Sequence, residues 1–259
     1  MPSAKVNGTN LYYEEHTTPT SKESLLLIMG LTFSLLDWGD DLPNELSKAY
    51  RVIIFDNRAS GQSDTPPTPF TVSNMADDAA GLLSFLKISR AHVFGISMGG
   101  MIAQELALKY PKLLNKLVLG CTACRPAFSS AAQAAFVSSG SGDPPLWSLL
   151  FSPAYIQKNK ASLTAFWRKV EPRHSKDAAY KAQMAAVVSH DACSRLSKIT
   201  TPTLIITGDA DPLIDPANSD YLAAKIPNSP TLVRMKGGFH GFPYSHWKET
   251  ADALTGFLK

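Results

Sequence analysis

The sequence predicts an α/β protein built on a mostly parallel sheet, and three observations carry that reading. Short apolar runs recur at Ser24 to Met29, Val52 to Phe55, Ala91 to Ile96, Lys116 to Cys121, Thr203 to Thr207 and Thr231 to Met235. Each is bounded by turn residues or a helical stretch, as strands buried on both faces require. Between two of them Met75, Ala79, Leu82, Leu83 and Leu86 repeat at helical spacing, the pattern of a crossover helix covering a sheet. Finally, Gly95-Ile96-Ser97-Met98-Gly99 joins one apolar run to the helical stretch Gly100 to Tyr110.

The elements follow in order. Val6-Asn7-Gly8-Thr9 is a hairpin signal, with Leu11 to Glu15 as the returning strand ahead of the parallel set. From Arg125 to Ser197 the alternation stops. That stretch holds no convincing strand but has helical patterns at Ala161 to Val170 and Ser175 to Val188. Breakers at Ser138-Ser139-Gly140-Ser141-Gly142-Asp143-Pro144-Pro145 precede those patterns. Strands then resume at Thr203.

The five-residue glycine-flanked turn is G-x-S-x-G in a strand-turn-helix setting, where a sharp bend projects the serine hydroxyl above the sheet. Glycine at both flanks lets the backbone bend where a side chain would collide with the neighbouring strand or helix. A serine is a weak nucleophile until a base takes its proton. Downstream, Gly208-Asp209-Ala210-Asp211-Pro212 follows one strand and Gly237-Gly238-Phe239-His240-Gly241 follows the next. The order Ser97, Asp211, His240 is Ser, acid, His, unlike the orders in chymotrypsin or subtilisin. All three residues follow strands, at the edge where open α/β sheets bind ligands.

With those residues in view, the chain resembles the α/β-hydrolase superfamily over nearly its whole length. Asp56-Asn57-Arg58 through Gly61-Gln62-Ser63-Asp64, and Gly95 to Gly100 with Met101-Ile102-Ala103-Gln104-Glu105, are similar to the esterase and oxoadipate enol-lactonase branch. The resemblance implies a mostly parallel eight-stranded sheet flanked by helices, with a helical lid between the sixth and seventh core strands. On that division 1–124 and 198–259 form the core and 125–197 the cap. It also implies Ser97 as nucleophile, His240 as base and Asp211 as the group that orients the imidazole. Asp209, Asp215 and Asp220 lie close by, but the family's G-x-x-D phrase falls on Asp211; Asp209 is expected to serve the turn. The strand Lys116 to Thr122 offers no carboxylate at its end.

Two positions depart from the family pattern. Met29-Gly30 stands where a His-Gly pair is usual, and Ala59 where D-x-R-G has glycine. An oxyanion hole uses backbone N–H groups, which every residue but proline supplies, so Met29 is expected to change packing rather than mechanism. By family analogy the donors are the amides of Leu31 and Met98. Met29, Trp147 and Phe151 are expected at the substrate pocket. Trp147, Phe151, Tyr155, Phe166 and Trp167 give the cap its apolar surface.

Composition fits this reading. The chain has 259 residues, 44% of them hydrophobic, enough for a large single core. Its 25 basic and 22 acidic residues leave +3 with no basic cluster, so neither nucleic acid nor an anionic membrane is an expected partner. Met1 to Glu15 has no signal-peptide pattern, and Leu25 to Leu36 is too short to span a bilayer, which makes a cytoplasmic address the default. Three cysteines, Cys121, Cys124 and Cys193, are an odd number that argues against a full disulfide framework. The Cys121-Thr122-Ala123-Cys124 spacing lacks a second pair, and His92 and His190 read as packed or solvated rather than as ligands. No metal and no cofactor is implied.

The expected reaction is hydrolysis of a small carboxylic ester or lactone through an acyl-enzyme. Cofactor-free perhydrolysis and C–C bond hydrolysis could use the same triad, and a ligand-binding protein could use the same fold. Ser97 excludes chemistry that needs a nucleophilic aspartate. The acyl and alcohol groups and the oligomeric state depend on packing that the residue pattern does not encode.

Overall fold

The computed structural model describes residues 2–19, 23–67, 69–129, 146–227 and 231–259. Its framework is an eight-stranded sheet in the order β1-β2-β4-β3-β5-β6-β7-β8. The strands are β1 (Ser3–Val6), β2 (Thr9–His16), β3 (Glu23–Ile28), β4 (Tyr50–Phe55), β5 (Ala91–Ile96), β6 (Leu114–Gly120), β7 (Thr203–Gly208) and β8 (Thr231–Met235). β1 and β2 form the antiparallel hairpin, turning at Asn7 and Gly8, both at positive φ (47° and 77°) as a tight hairpin turn demands. β2 runs antiparallel to β4, and every later pairing is parallel.

The strand boundaries agree with the apolar runs because those strands are buried on both faces. Within β3 and β4 the side chains alternate. Leu26, Ile28, Ile53 and Phe55 pack on one side of the sheet, while Leu25, Leu27, Val52 and Ile54 pack on the other. The first side is covered by α2 (Val72–Phe85) and α3 (Met98–Lys109), the second by α1 (Asp41–Ser47) and a C-terminal helix (Trp247–Leu258). Thr71 starts α2 by a capping box with Asn74, so the crossover helix begins where its apolar stripe does. No described helix is long and apolar enough to cross a membrane.

Between β6 and β7 the described chain is helical, with α4 (Trp147–Leu150), α5 (Pro153–Val170) and α6 (Asp177–Val188). The second and third match the helical patterns read from the sequence, and α5 begins earlier than its pattern because Ser152 caps it, accepting from Tyr155 N, with Pro153 in its first turn. The breaker run at 138–145 lies outside the described residues. Two further helices complete the core, α7 (Ala217–Lys225) and α8 (Phe242–Ser245), so the C-terminal helix is α9.

The cysteines require a correction. Cys124 is bridged to Cys193, and Cys121 is the free, buried thiol. An odd count said nothing about one pair whose members, 69 residues apart, meet only because the chain returns to the sheet beside the point where it left. The bridge joins the two ends of the helical excursion. It should therefore hold the excursion's base by restricting the unfolded chain, an effect of about 4 kcal/mol for a loop of 69 residues in the chain-entropy account. Cys193→Ser, or reduction of the wild type, is expected to lower the unfolding free energy obtained from urea denaturation by a comparable amount. Identical melts with and without reductant would show that the base is held by packing alone.

Candidate active site

Ser97 follows β5, which is buried along its whole length, and precedes α3 directly. Its backbone sits at φ 53°, ψ −123°, a conformation that L-residues rarely adopt. The surroundings enforce that bend. A Cβ on Gly99 would lie 2.0 Å from the Ile28 carbonyl oxygen, and one on Gly95 would lie 2.1 Å from the Gly99 oxygen. Only glycine permits β5, α3 and the end of β3 to approach so closely. The bend is secured from β6, because Ser97 N donates to Gly120 O at 2.9 Å and Thr122 Oγ1 donates to Ser97 O at 2.7 Å.

The other predicted residues arrive at the same edge of the sheet. Asp211, in the loop after β7, and His240, in the loop after β8, are buried, with His240 Nδ1 2.7 Å from Asp211 Oδ2. The second carboxylate oxygen of Asp211 accepts the amides of Leu213 and Ile214 at 2.8 and 3.1 Å, which fixes the carboxylate. The competing acids are committed elsewhere. Asp209 Oδ1 accepts Gly237 N at 2.6 Å, Asp215 Oδ1 accepts Ala217 N at 2.9 Å ahead of α7, and Asp220 pairs with Arg234. His92 and His190 are buried away from this edge, beside Glu23 and Glu105 respectively.

Burial is the strongest influence on the His240 imidazole and disfavours its charge. The Asp211 carboxylate, with a contribution from Cys121, outweighs it and holds the pKa well above the usual histidine value. Cys121 is an unforeseen neighbour. Its Sγ lies 3.6 Å from the His240 carbonyl oxygen, and Cys121, Asp211 and His240 offer atoms within 4.8 Å of one another.

Ser97 and His240 both line a cavity that opens to solvent. Met29, Gly30 and Leu31 form part of its wall, and a Cβ on Gly30 would lie 3.1 Å from Ser97 Cβ, so the loop after β3 crosses directly over the serine. Met98 is the first residue of α3. The helical excursion contributes Leu150, Phe151, Phe166 and Trp167. Trp147 does not reach the cavity; its ring stands behind Trp167, edge-to-face at 6.1 Å. Tyr244 completes that side, and burial, with Tyr155, Asp41 and Asp40 adding to it, pushes its phenol up to about 12, so the hydroxyl stays protonated.

Residues to which the sequence patterns gave no role hold these loops in place. Asn57 Nδ2 donates to the Met29 carbonyl at 2.9 Å, and Ser60 Oγ donates to the Phe33 carbonyl at 2.6 Å. Asp56 accepts the amides of Leu35 and Gln62; burial, opposed by those two hydrogen bonds, raises its pKa to about 6. The phrase around Asp56 is thus a bracket for the loop after β3. Ala59, the departure from glycine, sits at φ 62° within that bracket, which explains why glycine suits the position. From α6, the fully buried Gln183 accepts Thr32 N and donates to Arg58 O, each at 2.8 Å. Thr32 itself is a β-branched residue at φ 68°. In the His240 loop, the amides of His240 and Gly241 donate to the carbonyls of Leu149 and Leu150.

Against known proteins, residues 91–251 match the model of a serine hydrolase family (FSH1), and residues 23–140 match the α/β-hydrolase fold family. The carbamate hydrolase RutD of Caulobacter sp. (strain K31) is 30% identical over 278 aligned positions, spanning 100% of this chain and 98% of the relative. The chain belongs to the α/β-hydrolase family. A poly(3-hydroxyalkanoate) depolymerase of Ectopseudomonas oleovorans is 33% identical to this hydrolase over 224 residues, covering 80% of this chain and 75% of the relative. The crystal structure of the enol-lactonase from Burkholderia xenovorans LB400 superposes with a TM-score of 0.87 at 26% identity, covering 99% of each chain.

One junction of the site can be tested by stability alone. Gln183→Leu keeps the approximate volume but leaves the Thr32 amide and the Arg58 carbonyl without their buried partner, and should cost about 2–4 kcal/mol in urea denaturation. A change within ~0.5 kcal/mol would mean that water or a shifted backbone replaces both bonds.

Proposed function

We propose that this hydrolase cleaves a carboxylic ester or lactone through an acyl-enzyme formed on Ser97. The observation that carries the reading is the buried 2.7 Å contact between His240 Nδ1 and Asp211 Oδ2, with the His240 ring and Ser97 sharing one cavity wall. Engaging Nδ1 in this way leaves Nε2 as the basic nitrogen for the serine proton. Ser97 Oγ attacks the carbonyl carbon while Nε2 takes its proton. The oxyanion then draws on the amides of Leu31 and Met98, supported by the crossing of the 29–31 loop over the serine and by the start of α3 at Met98. The tetrahedral adduct collapses, the C–O bond to the leaving group breaks, and the imidazolium returns its proton to the departing alkoxide. Water repeats the sequence on the acyl-enzyme, regenerating Ser97 and releasing the acid.

In this reading Asp211 holds the imidazole in the tautomer with its proton on Nδ1 and stabilises the imidazolium formed in each transition state. The helical excursion acts as a lid, since Leu150, Phe151, Phe166 and Trp167 wall the cavity and the amides of His240 and Gly241 bond to α4. Exclusion of water by such a wall strengthens every polar interaction at the serine. Met29, in the place of the family's histidine, packs as an apolar wall residue, and its carbonyl is held by Asn57.

Fluorophosphonate labelling tests the nucleophile. The wild type should label and Ser97→Ala should not; labelling that persists in Ser97→Ala would place the nucleophile elsewhere. Asp211→Asn should lower turnover of a p-nitrophenyl ester on the order of 10³- to 10⁴-fold, whereas Asp215→Asn, which keeps an oxygen acceptor for the Ala217 amide, should stay near wild type. The reverse ranking would reassign the acid.

The pH profile follows from the raised His240 pKa. The base works when neutral, so activity should rise with pH through its titration, with the limb displaced above the ordinary value of ~6.5. Activity is accordingly lost on the acid side. Asp211→Asn should move the limb of the residual activity to lower pH, because it removes the charge that favours the imidazolium. A profile flat down to pH ~4 would contradict His240 as the base.

A further inference from the structure

We infer that the substrate of this site is an uncharged ester or lactone, and that substrates carrying a carboxylate are rejected at the wall containing Asp37. The inference rests on the serine-hydrolase reading and adds to it the charge class of the substrate.

The cavity wall is apolar and aromatic, with Phe33, Trp38, Phe151, Phe166, Trp167 and Tyr244 supplying much of its surface. None of the described residues that line it is a lysine or an arginine. Residues 130–145, outside the described set, contain no Lys, Arg or His in their sequence. The cations nearest in sequence to the wall residues of α5 are Arg168 and Lys169, both exposed; Lys169 pairs with Asp40. A substrate carboxylate entering this cavity would leave water and meet no counter-charge, which is unfavourable wherever a buried charge stays unpaired.

The wall also carries a negative charge of its own. Asp37 lines the cavity, and its side chain is only 6% exposed. Oδ2 accepts the amide and the hydroxyl of Ser34 at 2.9 and 3.0 Å, while Oδ1 lies 2.9 Å from His174 Nε2. Among the described residues, His174 is the one paired with it. Its ring is packed behind the wall, 4.8 Å from Phe33 and 5.2 Å from Trp167, and does not line the cavity. Even fully charged, His174 could do no more than balance Asp37, and the member of that pair that lines the cavity is Asp37. His240, at the reacting end, is paired with Asp211 in the same way. An anion is thus offered no free positive partner and one fixed negative neighbour. Like charges brought together in such a setting discriminate strongly. An uncharged acyl or alcohol group meets a largely apolar surface and the neutral Tyr244 hydroxyl, with no charge to place against Asp37.

The test compares mono-4-nitrophenyl suberate with its methyl ester at neutral pH, two substrates with the same leaving group that differ in one negative charge, the chain being long enough that the free carboxylate does not attack its own aryl ester. The wild type should turn over the methyl ester with kcat/KM on the order of a hundredfold higher. Asp37→Asn, which keeps an oxygen acceptor for Ser34, should narrow that ratio about tenfold. A wild-type ratio near one, or favouring the anion, overturns the proposal whether or not the variant folds. A ratio unchanged in folded Asp37→Asn removes Asp37 as its source and overturns that part. If neither ester is turned over while Ser97 still labels with a fluorophosphonate, the substrate class is wrong; if Ser97 does not label either, the serine-hydrolase reading itself fails.

Discussion

The close approach of three backbone segments at Ser97 is the constraint on which the rest of the site depends. β5 ends, the chain reverses at positive φ, and α3 begins with Gly99 against the Ile28 carbonyl. No side chain fits between those segments. The same approach places Gly30 over Ser97 Cβ, so one steric fact sets both the exposure of the serine and the position of the loop proposed to hold the oxyanion. The strain is sustained by parallel hydrogen bonding from β6 and by the buried helix behind it, since ten residues of α3 from Met98 to Ala107 are buried.

Around that turn the molecule uses hydrogen bonds between distant segments to hold loops that carry the chemistry. The bracket from Asp56 to Ser63 grips the loop after β3 from beneath, while Gln183 and Ser175 grip it from the helical excursion, Ser175 exchanging bonds with Thr32. The loop carrying His240 is held the same way by α4. Two of the loops that meet at the serine are thus tied to the helices between β6 and β7, and the Cys124–Cys193 bridge ties the base of those helices. The position of those helices and the site geometry are mechanically one unit. In such a unit a substitution in a helix far from the serine acts on the reacting atoms through backbone position.

Electrostatically the site separates two tasks. At the sheet edge, charge is paired and buried, with Asp211 raising the proton affinity of His240 against the effect of burial. Across the cavity the wall is apolar, apart from a carboxylate fixed by Ser34 and His174. In the proposed function the first arrangement favours the developing imidazolium, and the second selects which molecules reach it. Relatives that share the fold at 26–33% identity are named for different substrates, as expected when chemistry resides in the sheet edge and selection in the wall.

The sequence by itself determined the central strands, because segments buried on both faces must be apolar throughout, and β5 begins and ends where its apolar run does. It also marked the elbow, where Gly95 is required by the backbone of Gly99 four residues on, and it ordered Ser97, Asp211 and His240 after β5, β7 and β8. Only the tertiary structure decided that Cys124 meets Cys193, that Gln183 reaches Thr32 across 151 residues, that Trp147 stands behind Trp167, and that Asp37 faces the cavity. None of these leaves a local pattern. A side chain buried by a distant segment is selected by the shape and polarity of that segment, which periodicity and motif spacing do not record.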